Sequence, residues 1–294
     1  MHPLLKIGVS ALVLQVLATI PCRADTSTDT LGKIKATGII AVGYRPASVP
    51  FSMRGADGGP VGYTIDLCEK IVDNVKREMA LPQLQVKYVP VSSGDRMGKL
   101  LDGEIDIECG STTNTRDRQL HVAFVNTIFV TSTRILARAD SHIKDISELK
   151  GRRVAIAQNA SVAPLITKID LERKLDIQYV RVKDFSEGFQ VLESGKADAF
   201  VSDDIQFAAF LTSSSHPQDF AVVGEPISVD PLGIMVRKDD VQLRYIANRT
   251  LADLIADGEF NRIYSKWFLT KQIKFPMNDA LKNLLKAPNS QANY

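Results

Sequence analysis

Two kinds of apolar spacing alternate along this chain. Short runs such as 38–43 (Gly-Ile-Ile-Ala-Val-Gly) and the alternating stretches 85–89 and 104–108 predict strands. Between them, Leu67, Ile71 and Val75 recur at four-residue spacing in a helix opened by Gly62, and 95–101 predicts a shorter helix. Strand and helix patterns follow one another throughout, which points to an α/β fold with mostly parallel sheet. The order then repeats. Residues 149–157 echo 36–43, and 192–200 echo 100–108, each of the latter being a helix end, a turn glycine and a strand carrying Asp at the same offset. A polar cluster follows each of these strands, Ser111-Thr112-Thr113 in one half and Ser202-Asp203-Asp204 in the other. Two matches in the same order predict two similar lobes.

In open α/β sheets ligands bind beyond the carboxyl ends of the strands, so the two polar clusters should face each other across a cleft. The extended apolar segments 127–138 and 222–236 lie where the chain would cross between lobes. Residues 239–268 read as helical, with Ile246, Leu251, Leu254 and Ile255 on the apolar face and Tyr264, Trp267 and Phe268 packing the end. The polar tail after Lys271 is expected to wrap the surface or fray.

The run from Cys109 to Arg118 carries the chemistry. Gly110 permits a sharp turn, and Ser111, Thr112 and Thr113 are expected to bring hydroxyls and free amides to a helix start, a natural anion site. Arg118 can close a fork over a carboxylate such as that of an amino acid. An ordinary capped helix with a solvated Arg is the alternative. Arg45 follows the first strand and precedes Pro46, a loop position at a strand end that favours binding over a surface role. Arg96, beside Asp95 and near Lys99, reads from the residues alone as a helix-face ion pair. Asp203 is expected to face the cleft and Asp204 to cap the following helix.

The first 24 residues read as a secretory signal: Lys6 in a short basic start, an apolar run over 7–20, and small residues around Cys22-Arg23-Ala24. Pro21 makes a poor lipidation context for Cys22. Removing the segment takes two of the 36 basic residues, Lys6 and Arg23, and leaves 34 against 34 acidic. A balanced chain offers no basic field for nucleic acid or anionic membrane. The remaining length, about 270 residues, suits two domains of roughly 100–150. Cys68 and Cys109 then form an even pair in an oxidising compartment, which suggests a disulfide, with two buried thiols as the alternative. The four histidines are scattered without metal spacing, and neither a phosphate-cradling loop nor a nucleophile–base set is legible, so no metal or cofactor is expected.

These residues together resemble the solute-binding proteins of polar amino acid ABC transporters, in particular the glutamate/aspartate-binding branch. Gly62-Tyr-Thr-Ile-Asp-Leu-Cys-Glu-Lys-Ile-Val resembles the family signature, with Thr64 where an acidic residue is commoner. The segment 108–119 resembles the branch's binding segment, and 49–51, 127–130 and 192–195 match as well. The resemblance spans about 30–270 and implies a type II periplasmic-binding-protein fold: two lobes, each a mixed, mostly parallel sheet flanked by helices, joined by two hinge crossings. It places the first lobe at 25–131, the second at 132–226, and the return to the first lobe with the C-terminal helices at 227–294.

By the same resemblance the protein is a non-catalytic receptor, a periplasmic monomer that delivers its amino acid to a membrane permease. Arg118, Thr113 and Ser161 are implied for the α-carboxylate, Ser111 and Asp203 for the α-ammonium, and Arg45, Ser93 and Arg96 for a side-chain carboxylate. One position departs: Phe185 stands where the branch has a histidine that contacts the side chain. Phe185 could narrow the pocket toward aspartate, stack on an arginine, or widen the range to glutamine and asparagine. Two rival classes share the scaffold: a periplasmic enzyme, such as a cyclic-acid dehydratase or peptidoglycan lyase, and a sensor module. The enzyme needs a general acid in the cleft, for which Glu108 and Glu187 are the candidates. The sensor is disfavoured because no spanning or kinase-like segment is expected after 270.

Overall fold

The computed structural model describes residues 29–292, so the predicted signal segment lies outside the described residues. The first lobe begins with α1 (Thr30–Thr37), β1 (Ile39–Tyr44) and a small sheet of β2 (Ala47–Ser48), β3 (Ser52–Arg54) and β4 (Pro60–Val61). It continues with α2 (Tyr63–Glu78), β5 (Gln85–Pro90), α3 (Arg96–Leu101), β6 (Ile107–Thr113), the short α4 (Arg116–Gln119) and β7 (Val122–Phe124). Strand β8 (Phe129–Arg138) leads into the second lobe, which holds β9 (Arg153–Ala157), α5 (Val162–Arg173), β10 (Gln178–Val182), α6 (Phe185–Glu193), β11 (Ala199–Asp203) and α7 (Asp204–Ser213). The long β12 (Phe220–Arg237) returns, followed by α8 (Val241–Ala256), α9 (Glu259–Phe268) and α10 (Asp279–Lys286).

The main sheet runs β10-β9-β11-β8-β12-β6-β1-β5, with β7 also paired to β12. Each lobe contributes one parallel triplet, β5-β1-β6 and β10-β9-β11. The antiparallel pair β8 and β12 joins them, and its register breaks between Val223 and Ser228. The repeated Asp explains the echo in the sequence. The Asp106 amide donates to the Ala41 carbonyl at 2.7 Å while its carboxylate accepts the Ala41 amide at 2.9 Å. Asp198 does the same with Arg153, at 2.7 and 2.8 Å. In both lobes the Asp ties its own strand to the start of the central strand beside it.

The first-lobe core centres on Tyr63, Phe51, Phe129 and Phe268, all fully buried and in ring contact. Burying each such side chain contributes roughly 1.5–3 kcal/mol. In the second lobe two smaller clusters, one around Ile166 and Leu149 and one around Phe200 and Phe207, flank the sheet. Helix α2 starts at Gly62, whose φ of +144° and closeness to the Phe51 carbonyl (2.2 Å from where a Cβ would sit) leave room for no other residue. This helix carries Cys68, which is disulfide-bonded to Cys109 on β6 across a Cα distance of 6.4 Å.

Two expectations are corrected. The strand predicted at 104–108 extends instead over Ile107–Thr113, so Ser111, Thr112 and Thr113 are strand residues and not a helix start. All seven positions are buried because β6 lies between β1 and β12, whose ladders take up its backbone groups. The helix starts later, capped by Thr115, whose side chain accepts from the Arg118 amide. The segment 239–268 is two helices, divided at Gly258 with its φ of +79°. The tail docks: Leu281 is buried against the first-lobe core, with Leu284 and Leu285 packed beside it.

Candidate functional site

The carboxyl ends of β6 and β11 face each other across the junction of the lobes, and helices α3, α5 and α6 point their first turns toward the same place. One cavity there is lined from the first lobe by Ser93, Arg96, Ser111, Thr113 and Arg118. The second lobe supplies Ser161, Phe185 and Asp203, with Ala160, Val162 and Ser202. Eight of the nine predicted ligand-binding residues therefore share a single cavity. Its free room is about 20 Å³, close to that of one water, so anything larger enters only when the lobes part.

Direct contacts close the cleft. The Ser161 hydroxyl donates to Thr113 Oγ1 at 2.9 Å, and Arg118 Nη2 donates to the Asn159 carbonyl at 3.3 Å. Arg118 Nη1 also donates to its own lobe's Thr113 carbonyl at 2.7 Å, which fixes the guanidinium at the cavity edge. The Ser111 hydroxyl lies 2.6 Å from that of Ser48.

Arg45 is the ninth residue and stands apart. It lines a neighbouring groove with Ser92, Ser93, Lys183 and Asp184, and its guanidinium carbon sits 5.5 Å from the centroid of the Phe185 ring. The stacking considered for Phe185 is thus present. Arg45 and Arg96 are 3 % and 4 % exposed, and Nη1 of each is buried without a hydrogen-bond partner. Burial and the charge of Arg96 lower the Arg45 pKa to about 10. Burial likewise lowers that of Arg96, with Glu108 and Asp203 opposing. Burial pushes Asp203 well above the usual carboxylate range, reinforced by Asp230 and Asp204 and opposed by Arg118 and Arg96.

Asp203 occupies the N-cap position of α7 yet makes no capping bond. Asp204 does not cap from outside the helix; it is the first helical residue, and its Oδ1 accepts from the Thr131 hydroxyl and the amides of Ser132 and Ile205. Neither acid weighed for an enzyme lines the cavity. Glu187 closes a capping box, its amide donating to Asp184 and its carboxylate accepting from the Lys183 amide. Glu108 is fully buried, its Oε2 accepting from the Thr112 hydroxyl at 2.7 Å.

A model of the bacterial extracellular solute-binding proteins, family 3, matches residues 40–270, a span that contains every cavity residue. The chain belongs to this family. The L-glutamate/L-aspartate-binding protein of Pseudomonas aeruginosa is 38 % identical over 97 % of this chain and 96 % of its own length. The glutamate/aspartate import solute-binding protein of Escherichia coli K12 is 37 % identical over 94 % and 93 %. Among solved structures, a mutant of ArgBP from T. maritima superposes with a TM-score of 0.72 at 28 % identity, covering 82 % of this chain and 99 % of that one. A histidine-bound ABC uptake transporter binding protein from Streptococcus pneumoniae shares the fold at a TM-score of 0.75 and 21 % identity, over 85 % of this chain and 100 % of its own. The family's members are binding proteins, which sets the enzyme alternative aside.

Sequence reasoning missed Ser48 and Asn159. Asn159 follows the end of β9, so the strand-end rule that singled out Arg45 could have found it. Ser48 belongs to the small β2 strand, whose return toward β6 left no periodic signal in the sequence.

Proposed function

We propose that this protein is the periplasmic receptor of an amino acid ABC importer and captures glutamate or aspartate between its lobes. Arg118, Thr113 and Ser161 receive the α-carboxylate, Ser111 and Asp203 the α-ammonium, and Arg96, Ser93 and Arg45 the side-chain carboxylate. The observation that carries the reading is the pair of buried guanidiniums, Arg45 and Arg96, each with an unpartnered Nη1 beside a cavity that already holds Arg118 opposite Asp203. A neutral side chain would leave that charge buried and uncompensated. The full-length relatives named for glutamate and aspartate support the same choice.

Capture works by closure. The first lobe holds the ligand through Ser111, Thr113 and Arg118, and contacts from Ser161 and Asp203 exist only once the second lobe swings in, so the ligand shifts the population to the closed form. The motion would pivot at the two hinge crossings, near 131–132 and 226–227; the second lies inside the stretch 223–228 where the β8–β12 ladder changes register. The closed monomer then docks on a membrane permease. The affinity expected is around micromolar or tighter, roughly −8 kcal/mol and beyond.

The stacking of Phe185 on Arg45 favours one second reading: with that guanidinium engaged by a ring, the range extends to glutamine and asparagine. A thermal-shift screen over the common amino acids tests both. Glutamate and aspartate should raise the melting temperature most, since a ligand of the folded state stabilises by mass action. A shift of equal size with glutamine would select the broader range, and no shift with any amino acid would overturn the proposal.

A further inference from the structure

Glu108 is the one fully buried carboxylate at the arginine end of the cleft, and nothing in the capture mechanism uses it. Its Oε2 accepts from Thr112, while Oε1 is buried without a hydrogen-bond partner. It shares one face of β6 with Gly110. A Cβ at Gly110 would lie 2.3 Å from Glu108 Oε1 and 2.7 Å from Arg45 Cγ, so the missing side chain is what lets the carboxylate and the arginine stem occupy the same space. Arg96 lies on α3, which packs on β6.

We propose that Glu108 is a positioning residue that sets the side-chain end of the cleft to one net positive charge, so that a single carboxylate completes it. The proposal rests on the acidic amino acid reading and deepens it. Arg45 and Arg96 bring two positive charges to this end and Glu108 one negative. The other charges there come in opposite pairs: Asp95 with Lys99 at 3.1 Å, and Asp184, which caps α6, with its neighbour Lys183, both lining the Arg45 groove. At the opposite end Arg118 and Asp203 offset each other and meet the ligand's own carboxylate and ammonium. A closed cleft holding glutamate or aspartate is then neutral at its arginine end, whereas one holding glutamine keeps a buried positive charge. Glu108 raises the pKa of both arginines against the effect of burial. This buried acid does not line the cavity, so it is not placed to act as a general acid on a molecule held there.

The test is calorimetric titration with L-glutamate and L-glutamine, read as the ratio of the two affinities. In Glu108→Gln the ratio should rise on the order of tenfold, because the side-chain carboxylate then meets two uncompensated cations. In Arg45→Gln it should fall by a similar factor, and adding Glu108→Gln to Arg45→Gln should bring it back. A merely structural role would weaken both ligands alike and leave the ratio where it was. An unchanged or lower ratio in Glu108→Gln overturns the proposal; if that variant does not fold, an unchanged ratio between Arg45→Gln and the double variant does so. A wild type that prefers glutamate, with variants that show neither effect, sinks this assignment alone, while a wild type that prefers glutamine overturns the acidic reading and this assignment with it.

Discussion

Asp203 is ill at ease among its protein neighbours. It is sequestered near Asp230 of β12 and Asp204 of α7, faces Arg118 of α4 and Arg96 of α3, and gains no capping bond for its position. Its folded-state pKa lies well above the ordinary 3.8, so the folded chain holds a proton that the unfolded chain has released. Stability from this group is therefore present near pH 4 and is lost as pH rises toward the folded value. An ammonium ligand needs the ionised form, so affinity should run the other way and fall on acidification, with protons released on binding. Calorimetry in buffers of different ionisation enthalpy reads that release directly. Asp203→Asn should raise the melting temperature of the unliganded protein by roughly 2–4 °C and weaken binding about a hundredfold or more. Arg118→Ala should weaken binding to a similar degree, since it removes the charge expected to meet the α-carboxylate; unchanged affinity would reject that role. Ser111, Thr113, Arg118, Arg45 and Asp203 were legible from the residues because they follow predicted strand ends, whereas Ser93, Arg96, Ser161 and Phe185 came only with the family resemblance. Glu187 and Asp204 were harder to place, because capping is decided by where a helix starts within a residue or two.

At the scale of elements, β6 shows where local reading stops. Gly-Ser-Thr-Thr has the composition of a cap, yet strand partners on both sides override that preference. The repeated Asp106 and Asp198 were legible because each performs one local task that its sequence offset reveals. Parity suggested the Cys68–Cys109 pairing, but the distance that permits it comes from packing α2 against β6. The bridge closes a separation of 41 residues, and replacing both cysteines by serine should cost about 4 kcal/mol in the chain-entropy account, measurable by urea unfolding. The tail has a task as well. Helix α4, which carries Arg118, buries none of its residues, and the Ser290 carbonyl accepts from both Asn114 Nδ2 (3.0 Å) and Gln119 Nε2 (2.8 Å). Gln119→Ala should loosen that helix and weaken ligand binding about three- to tenfold with little change in melting temperature. Equal affinity in this variant would show that the tail does not position Arg118.

For the whole molecule, two lobes repeat one parallel triplet and share the β8–β12 pair, and the site exists only where their strand ends meet. Ser161 to Thr113 and Arg118 to Asn159 are direct bonds that help hold the cleft shut, and both cross from one lobe to the other. A hydrogen bond of this kind contributes only about 1 kcal/mol net, so an amino acid bridging the halves with several charged contacts should dominate the balance. Small-angle scattering should show the molecule contracting when glutamate is added, and Arg118→Ala failing to contract. Titration of the wild-type protein with L-glutamate, L-aspartate and L-glutamine reaches the central claim most directly. The account predicts micromolar or tighter binding of one or both acidic amino acids and at least about tenfold weaker binding of glutamine. Absence of acidic amino acid binding, or glutamine binding as tightly, would contradict it.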